Sequence, residues 1–343
     1  MGVNISALIE PRSLELEDLR SKGVAIDAHN VIYQFLSIIR QPDGTPLKDE
    51  QGRVTSHLSG LLNRNANLLE SGISPCYVFD GRPHELKADT IEERRDRRAQ
   101  ALEDWRQAQE EGDLERAFSK ASQSSRLTSD ILESSRELLQ RLGIPIVDAP
   151  GEGEAQAAHM SLKGDIYAAG SQDYDTLLFG APRLVRNVAS TGRRRLPGGR
   201  GYKTVSVELI ELDELLDALG IDRAQLVDMS IMIGTDFNDG IHGIGPKRGL
   251  KLILEHGDLP SALKSIGQEI EHYQEIRDIF LGGSYAEDYD LRLTRPDRDA
   301  VKELLCEEHG FAPGRVDSAL NRIETALDKE EDRRRQRTLD QWF

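Results

Sequence analysis

The sequence is short of cysteine and of long apolar runs, and each shortage excludes a class of protein. Two cysteines occur in 343 residues, Cys76 and Cys306, and they lie far apart with neither zinc-finger nor redox spacing. No apolar stretch approaches the length of a membrane span, and no apolar segment follows a basic start as it does in a secretory signal. We therefore expect a soluble, intracellular protein that has no membrane partner and whose cysteines take no part in chemistry.

Basic residues are outnumbered by acidic ones. The chain has 44 Lys and Arg against 60 Asp and Glu, so its formal net charge is −16. This balance ordinarily argues against a polyanionic partner, although an acid-rich surface also keeps proteins soluble in concentrated salt, so a halophilic source is our hypothesis for the excess. Local charge differs from the total, because two cationic runs contain no acid: Arg193, Arg194, Arg195, Arg200 and Lys203, then Lys247, Arg248 and Lys251.

Short apolar strands alternate with amphipathic helices along much of the chain. This pattern predicts an α/β fold with a mostly parallel central sheet flanked by helices, and the length suits one elaborated domain at residues 1–327. Residues 81–128 interrupt the alternation with a highly charged helical insertion, and residues 328–343 form a charged tail that we expect to be flexible. The charged helix is by default a solvated surface, and the alternative is a mobile arch whose Arg side chains meet phosphate.

Carboxylates stand where the predicted strands end. Asp27, Asp80 and Asp173 each close a short apolar run, and ligands of open α/β sheets bind beyond the carboxyl ends of strands. Acids at a helix start are common without any function, but several acid-terminated segments in one α/β pattern favour a metal site. Hard oxygen ligands without His or Cys suit Mg²⁺ or Mn²⁺. The candidate ligands are Asp27, Asp80, Glu152, Glu154, Asp173, Asp175 and Asp236.

Two metal ions at such a site would support hydrolysis of a phosphodiester. One ion generates hydroxide from water, and both stabilise the attacking and leaving oxygens, so that no protein nucleophile is needed. Cations aimed at the scissile phosphate would help, and Lys87 and Arg94 fit because both enter a helix directly after the strand that ends at Asp80. Taken singly, each of the two is better explained as a surface cation.

Residues 234–256 contain a glycine-rich turn followed by a helix. The run from Gly240 to Arg248 is G-I-H-G-I-G-P-K-R, with Pro246 placed for the first helical turn. Such a turn exposes backbone N–H groups to phosphate, and the alternative is a plain connection between two helices. Candidate DNA contacts here are Gly243, Gly245, Lys247 and Arg248.

Residues 336–343 put one aliphatic and two aromatic side chains on an end that otherwise cannot fold. Exposed aromatics on a flexible end are typical of a docking peptide. The alternative is a tail that packs back on its own domain, which the charged run at residues 329–335 disfavours.

Taken together, these segments resemble the archaeal and eukaryotic flap endonucleases of the 5′-nuclease superfamily, nearly from end to end. Two positions depart from the family pattern. Trp342 stands where the family's peptide for docking on the sliding clamp commonly carries Phe or Tyr. His29-Asn30 follows Asp27 where many relatives carry small residues. The resemblance implies a PIN-like 5′-nuclease fold with a helical arch at residues 81–128 and a helix-two-turn-helix element at residues 234–256. The motifs that carry it are I-D-A-H-N-V-I-Y-Q-F-L, T-S-H-L-S-G-L-L, Y-V-F-D-G-R-P, A-P-G-E-G-E-A-Q-A-A, S-Q-D-Y-D-T-L-L-F-G, G-I-G-P-K-R and the terminal Q-x-x-L-x-x-W-F.

The resemblance also implies roles at the reacting centre. The seven acids look like the metal ligands of the family, and Lys87 and Arg94 look like its catalytic cations at the base of the arch. Tyr33 is similar to the aromatic residue that stacks on a base beside the scissile phosphate. Arg97 and Arg98 are similar to arch residues near the 5′ strand.

Other implied roles concern the rest of the DNA and a protein partner. Arg40, Thr55 and Arg64 fall in the segments that hold the opposite duplex and its 3′ flap. The glycine-rich turn resembles the element that holds a K⁺ ion against the uncleaved duplex. The tail resembles the peptide that docks on the sliding clamp (PCNA), with the anchors Gln336, Leu339, Trp342 and Phe343.

The expected function is therefore that of a monomeric, Mg²⁺-dependent enzyme that cuts 5′ flaps, with 5′–3′ exonuclease activity, in Okazaki fragment maturation and DNA repair. Its expected location is the cytoplasm and nucleoid of an archaeon, or the nucleus of a eukaryote. Three alternatives remain: a mainly 5′–3′ exonuclease, a bubble-cutting repair nuclease and a non-catalytic DNA scaffold bound to the clamp. The short spacer between Arg98 and Leu127 disfavours the bubble-cutting branch.

Overall fold

The computed structural model describes residues 2–41, 43–111, 113–189, 192–195 and 202–340. Within these ranges no helix has the length and apolar character that a membrane span requires.

The strands are β1 (Arg12–Leu14), β2 (Gly23–Asp27), β3 (Ser74–Phe79), β4 (Ile146–Asp148), β5 (Ala168–Gly170), β6 (Arg183–Arg186), β7 (Gly192–Arg195), β8 (Tyr202–Val205) and β9 (Val207–Glu211). The helices of the first half are α1 (Ala28–Ile38), α2 (Ser56–Glu70), α3 (Ala88–Glu110), α4 (Leu114–Gln123), α5 (Ser129–Arg141), α6 (Gly153–Lys163) and α7 (Asp175–Leu178). Those of the second half are α8 (Leu212–Leu219), α9 (Arg223–Ile233), α10 (Pro246–His256), α11 (Leu259–Ile266), α12 (Tyr273–Gly282), α13 (Arg298–Lys302) and α14 (Pro313–Asp340). Single 3-10 turns lie at Ser6–Leu8, Leu16–Leu19 and Glu85–Lys87, and a π-helical turn at Glu303–Glu308.

Seven strands form the central sheet, in the order β1-β9-β6-β5-β2-β3-β4. The pairs from β6 through β5, β2 and β3 to β4 are parallel, whereas β9 pairs antiparallel with both β6 and β1. Helices connect the parallel strands, because a parallel pair needs a crossover rather than a hairpin. The mostly parallel α/β fold predicted from the sequence is therefore confirmed.

Side chains along the central strands alternate between two halves of the hydrophobic core. Val24 and Ile26 of β2 pack in the half that includes α1, α2, α5 and α14. Ala25 packs in the other half, which includes α6 and the helices α9 to α12. Because both faces of the sheet are covered, its central strands appear in the sequence as continuous apolar runs.

Helices α3 and α4 lie within the predicted insertion, residues 81–128. Their shared surface is lined by alanines, Ala101 and Ala108 from α3 and Ala117 and Ala121 from α4, all nearly fully buried. Small residues let the two helices approach closely while most charged residues of α3 remain exposed. The hairpin is joined to the body where the Ser37 hydroxyl donates to the Ser122 carbonyl at 3.1 Å.

The structure differs from the sequence-based expectation in the Arg-rich segment. The sequence pattern predicts a loop at residues 192–201 and one strand at residues 203–210. Instead, Gly192–Arg195 pairs antiparallel with Tyr202–Val205, and a second strand, Val207–Glu211, joins the central sheet. One predicted strand is thus two strands in two sheets, because the chain changes partner at Ser206.

The C-terminal helix also extends beyond its expected end near Leu327. α14 continues to Asp340, so that residues 328–340, expected to be flexible, are helical. Its first half is held by buried Leu320 and Ile323. Its second half has few apolar residues but carries ion pairs at helical spacing, such as Arg335 with Glu331 at 2.5 Å, which stabilise a helix locally.

Candidate active site

Strand ends bring three of the predicted acids to one edge of the sheet. Asp27 is the last residue of β2 and lies opposite Val78 of the parallel β3, which Asp80 follows. β5 pairs with the other side of β2 and leads to Asp173. Two bonds from Asn30 tie these segments together: its backbone N–H donates to Asp27 Oδ1 at 2.9 Å and its side-chain amide to Asp173 Oδ2 at 3.2 Å. Parallel pairing thus explains why acids far apart in the sequence meet.

The carboxylate of Asp80 is held at both oxygens. The backbone N–H of Gly153 donates to Oδ1 at 2.7 Å, and Nδ1 of His29 lies 2.5 Å from Oδ2. Burial raises the pKa of Asp80, but His29, the Gly153 amide and Lys87 together lower it, so that the pKa lies below its ordinary value. Asp80 is therefore favoured as the ionised, acceptor form.

The two predicted cations lie against predicted acids. Lys87 Nζ is 2.5 Å from Glu152 Oε2 and 3.4 Å from Asp236 Oδ2, and Arg94 Nη2 is 2.5 Å from Asp236 Oδ1. Although burial lowers the pKa of Lys87, the carboxylates of Glu152 and Asp236 raise it above its ordinary value. A 3-10 turn and the start of α3 thus place two permanent positive charges in the acidic cluster.

The remaining acids of the cluster are bound by uncharged donors. Glu154 Oε1 accepts from the Ser171 hydroxyl at 2.8 Å. Asp175 Oδ1 accepts from the backbone N–H of Val3 at 2.6 Å. A Cβ built on Gly2 would lie 2.4 Å from the same oxygen, so the chain start passes directly over this acid.

Burial and mutual repulsion disfavour the charged form of several of these acids. Burial is the largest cause in each case. It raises the pKa of Asp27 to about 7, with a further contribution from Asp80. It raises the pKa of Asp175 to about 7, with a further contribution from Asp236. The pKa of Glu154 is raised well above its ordinary value by burial and by Asp175.

The chemistry of the cluster fits divalent metal ions. Its donors are carboxylate oxygens, buried close enough to repel one another, and a hard divalent cation would relieve that repulsion. Among the described residues no group of three His, Cys, Asp or Glu side chains could hold a metal ion as it stands. Lys87, Arg94 and His29 engage oxygens of Glu152, Asp236 and Asp80 instead.

Two family models match the chain, the XPG N-terminal domain over residues 1–101 and the XPG I-region over residues 143–236. A flap endonuclease 1 from Methanosarcina acetivorans is 50% identical over 343 residues, the full length of both chains. A flap endonuclease 1 from Aeropyrum pernix is also 50% identical, over 350 residues that include all of both chains. The chain belongs to the flap endonuclease 1 family. The solved flap endonuclease-1 of Methanococcus jannaschii matches with a TM-score of 0.77 at 38% identity, over 96% of this chain and 100% of that one.

Membership in the flap endonuclease 1 family confirms the resemblance predicted from the motifs and identifies the chain as a nuclease. A similar fold is found in a less similar sequence. The catalytic core of Rad2 in complex with DNA substrate matches with a TM-score of 0.67 at 24% identity, over 92% of this chain and 96% of that one, a likeness of fold.

Within this flap endonuclease fold, one of the two predicted arch residues lies against the predicted base-stacking residue. Tyr33 is on α1, and the guanidinium carbon of Arg98 lies 5.2 Å from the centre of its ring. Arg97 is exposed and pairs with Glu93, one helical turn earlier, at 2.5 Å. The structure thus brings Arg98 to Tyr33 but leaves Arg97 on the outer surface of α3.

The residues expected to hold the opposite duplex have intramolecular partners. Arg40 donates to the Gly44 carbonyl and to the Ser125 hydroxyl, both at 2.7 Å. Arg64 is buried, and its Nε donates to the Ala189 carbonyl at 2.8 Å. Thr55 is buried at the start of α2.

The predicted glycine-rich turn leads into α10 as the sequence indicates. Gly243 has φ +81°, a left-handed conformation that favours glycine. Gly245 is the N-cap of α10 and Pro246 its first residue. Lys247 and Arg248 are exposed, and Arg248 reaches back to donate to the Gly243 carbonyl at 3.2 Å. Exposed cations therefore flank a turn at a helix N-terminus.

The predicted clamp-binding anchors fall at the end of the described chain. Gln336 is exposed on α14, and Leu339 belongs to its last turn. Trp342 and Phe343 lie outside the described residues.

Sequence reasoning missed several residues that shape the site. Ser171 and Val3 donate to predicted ligands, and nothing in the sequence pattern singles them out. Gly153 lies between Glu152 and Glu154 in the sequence, and its hydrogen bond to Asp80 became visible only in the structure. His29 was visible as an unusual residue after Asp27, but its contact with Asp80 depends on the packing of α1 against β3.

Proposed function

We propose that the protein is a structure-specific 5′ flap endonuclease that hydrolyses a DNA phosphodiester at the junction of single and double strand. The observation that carries this proposal is the gathering of the acidic cluster at one edge of the sheet, with Lys87 and Arg94 directly against it. This combination suits phosphoryl transfer, because cations beside metal-binding acids add to the stabilisation of the charge on the phosphate.

Two Mg²⁺ ions, for which Mn²⁺ can substitute, are the proposed cofactors, held by the seven acids. The ions would supply an activated water and would stabilise the charge that develops on the phosphate. Lys87 and Arg94 neutralise Glu152 and Asp236 in the protein alone. Once these acids bind metal, the two cations are available to the oxygens of the scissile phosphate, and Tyr33 stacks on the adjacent base.

Recognition in this proposal depends on the shape of the DNA rather than its base sequence. The α3–α4 hairpin acts as the helical arch for the 5′ strand, with Arg97 and Arg98 near its phosphates. Arg40, Thr55 and Arg64 hold the opposite duplex and its 3′ flap. The helix-two-turn-helix element at residues 234–256 binds the uncleaved duplex together with K⁺. Contacts to phosphate and a bend at the junction carry little base information, which supports selection by shape.

The proposed cellular role is Okazaki fragment maturation and DNA repair in an archaeon. A monomer would work in the cytoplasm at the nucleoid and dock on the sliding clamp through residues 336–343. The acid excess supports a halophilic source, since an acidic surface keeps a protein soluble in concentrated salt. Stability that does not rise with KCl would argue against that source.

The direct experiment is cleavage of a labelled double-flap DNA with Mg²⁺ or EDTA, across a KCl series, with mapping of the product ends. A Mg²⁺-dependent cut at or one nucleotide inside the junction is the expected result, and a change of flap sequence should leave it nearly unaltered. Asp173→Asn should bind the DNA without cutting it. Release of mononucleotides alone would favour the exonuclease, and binding without any cut by the unmodified protein would favour the scaffold.

A further inference from the structure

The imidazole of His29 completes a two-sided hold on the Asp80 carboxylate. The backbone N–H of Gly153 donates to Oδ1 at 2.7 Å, and Nδ1 of His29 lies 2.5 Å from Oδ2. Each oxygen keeps a second lone pair for another partner. The carboxylate is therefore fixed in orientation while it remains able to bind a cation.

The ring of His29 is itself held in place. It lies edge-on to Phe79, with 5.9 Å between ring centres and 82° between planes. The guanidinium of Arg136 lies 3.9 Å from the centre of the same Phe79 ring and pairs with Asp148 at 2.5 Å. The His29 ring therefore has a second contact, with Phe79, besides its hydrogen bond to Asp80.

The cap and the core contacts of α1 come from residues other than His29. It lies in the first turn of α1 with 22% of its side chain exposed. The N-terminus of α1 is capped by Asp27, and buried Val31 and Ile32 anchor the helix to the core. Loss of the imidazole would leave these interactions intact.

We infer that His29 is a positioning residue of the metal site, which fixes the Asp80 carboxylate through Nδ1 and thereby raises the affinity of the site for divalent ions. The inference rests on the proposed role of Asp80 as a metal ligand. Donors that orient a ligating carboxylate are a large part of metal affinity, because a ligand already held in place loses less freedom when the ion binds. A hydrogen bond from Nδ1–H to Oδ2 would use one lone pair of that oxygen and would leave the other for a cation.

The test is direct titration of the full chain with Mn²⁺, with free ion measured by electron paramagnetic resonance at a single alkaline pH. His29→Ala should weaken Mn²⁺ binding by about tenfold to a hundredfold, as the loss of an outer partner of a metal ligand typically does. His29→Asn should retain most of the affinity, because its amide places a donor near the Nδ1 position. His159→Ala is the matched control: its side chain is 16% exposed and pairs with Glu287 instead.

The outcomes distinguish failure of the proposed role of His29 from failure of the proposed metal site. Unchanged or tighter Mn²⁺ binding by His29→Ala, with normal binding by the unmodified protein, would overturn the role of His29 alone. Failure of the unmodified protein to bind Mn²⁺, or binding unaffected by Asp80→Asn, would overturn the metal site and this inference with it. Loss of affinity in His29→Ala and its recovery in His29→Asn would establish positioning, since a general loss of structure would not be repaired by one amide.

Discussion

The backbone N–H of Gly153 donates to Oδ1 of Asp80 at 2.7 Å, and a Cβ built on Gly153 would lie 2.7 Å from that same oxygen. The first turn of α6 can therefore approach the end of β3 only if this residue has no side chain. In the sequence Gly153 is a spacer between Glu152 and Glu154, but in the structure it sets the position of a third acid.

Gly153→Ala should displace the Asp80 carboxylate and slow flap cleavage by about a hundredfold, the typical cost of a misplacement near 1 Å at a reacting centre. Single-turnover cleavage of a double-flap DNA at saturating enzyme measures this directly. Gly151→Ala is the control, since a Cβ there would meet nothing within 4 Å. Equal rates for the two variants would contradict the steric argument.

Lys87→Ala should lower the single-turnover rate by about a hundredfold to a thousandfold, the usual effect of removing one electrostatic donor at a phosphate. DNA affinity should change much less, because Lys87 is one cation among many. The comparison is with Lys163→Ala, whose ammonium pairs with Glu287 near the surface at 3.0 Å. A rate that stays within a few-fold of the unmodified protein would remove Lys87 from the catalytic group.

Mg²⁺ should raise the thermal stability, because it neutralises buried acids in the folded protein alone. At a free Mg²⁺ concentration of a hundred times the dissociation constant, the expected gain in the free energy of unfolding is about 2.7 kcal/mol.

Asp175→Asn should melt at a higher temperature than the unmodified protein in EDTA, since one buried repelling charge is gone and the side-chain oxygen that accepts from Val3 is kept. It should also respond less to Mg²⁺. Melting curves with EDTA and with Mg²⁺ test both points, with the exposed Asp288→Asn as control. An undiminished Mg²⁺ response in Asp175→Asn would count against its place in the metal site.

His57 should make the protein sensitive to acid. It is 1% exposed on α2, its Nε2 lies 2.9 Å from the Ser134 hydroxyl, and burial, with a smaller contribution from His309, lowers its pKa to about 3. Because the folded pKa lies below the unfolded value near 6.5, stability is full above that value and falls as the pH drops toward 3. Between pH 7 and pH 5 the expected loss is about 2 kcal/mol.

The measurement is urea unfolding at the two pH values. His57→Gln should lose about 2 kcal/mol less than the unmodified protein over this interval, because a neutral amide has no charge to bury. His272→Gln, in which the original side chain is 60% exposed, should leave the pH dependence unchanged. The same slope in His57→Gln as in the unmodified chain would show that other groups control acid unfolding.

Replacement of Trp342 and Phe343 by Ala should weaken binding to a sliding clamp at least tenfold, since buried aromatic anchors dominate such interfaces. Flap cleavage without the clamp should be unchanged, because neither residue is among the proposed metal ligands, catalytic cations or DNA contacts. Binding is measured by calorimetry with a purified clamp, and Arg335→Ala is the control. Equal clamp affinity in the double variant would place the docking contacts elsewhere.

Much of the fold was predictable because it depends on short-range pattern. The apolar runs that end at Asp27 and Asp80 correspond to β2, which ends at Asp27, and β3, which ends at Phe79. The segment at residues 203–210 was predicted as one strand, since its β-forming residues run on without a break. Which sheet each half joins depends on the strand with which it pairs, and the local sequence pattern does not identify that strand.

The sequence by itself determined where three of the acids lie, Asp27, Asp80 and Asp173, because an acid that follows a buried strand emerges at the carboxyl edge of a parallel sheet. It also determined that cations follow the Asp80 strand. Only the tertiary structure decided which donors hold those acids: Val3 on Asp175, and Gly153 with His29 on Asp80. The physical reason is distance along the chain. A hydrogen bond needs its atoms placed within a few tenths of an ångström, and for residues so far apart in sequence that placement depends on the packing of the whole core.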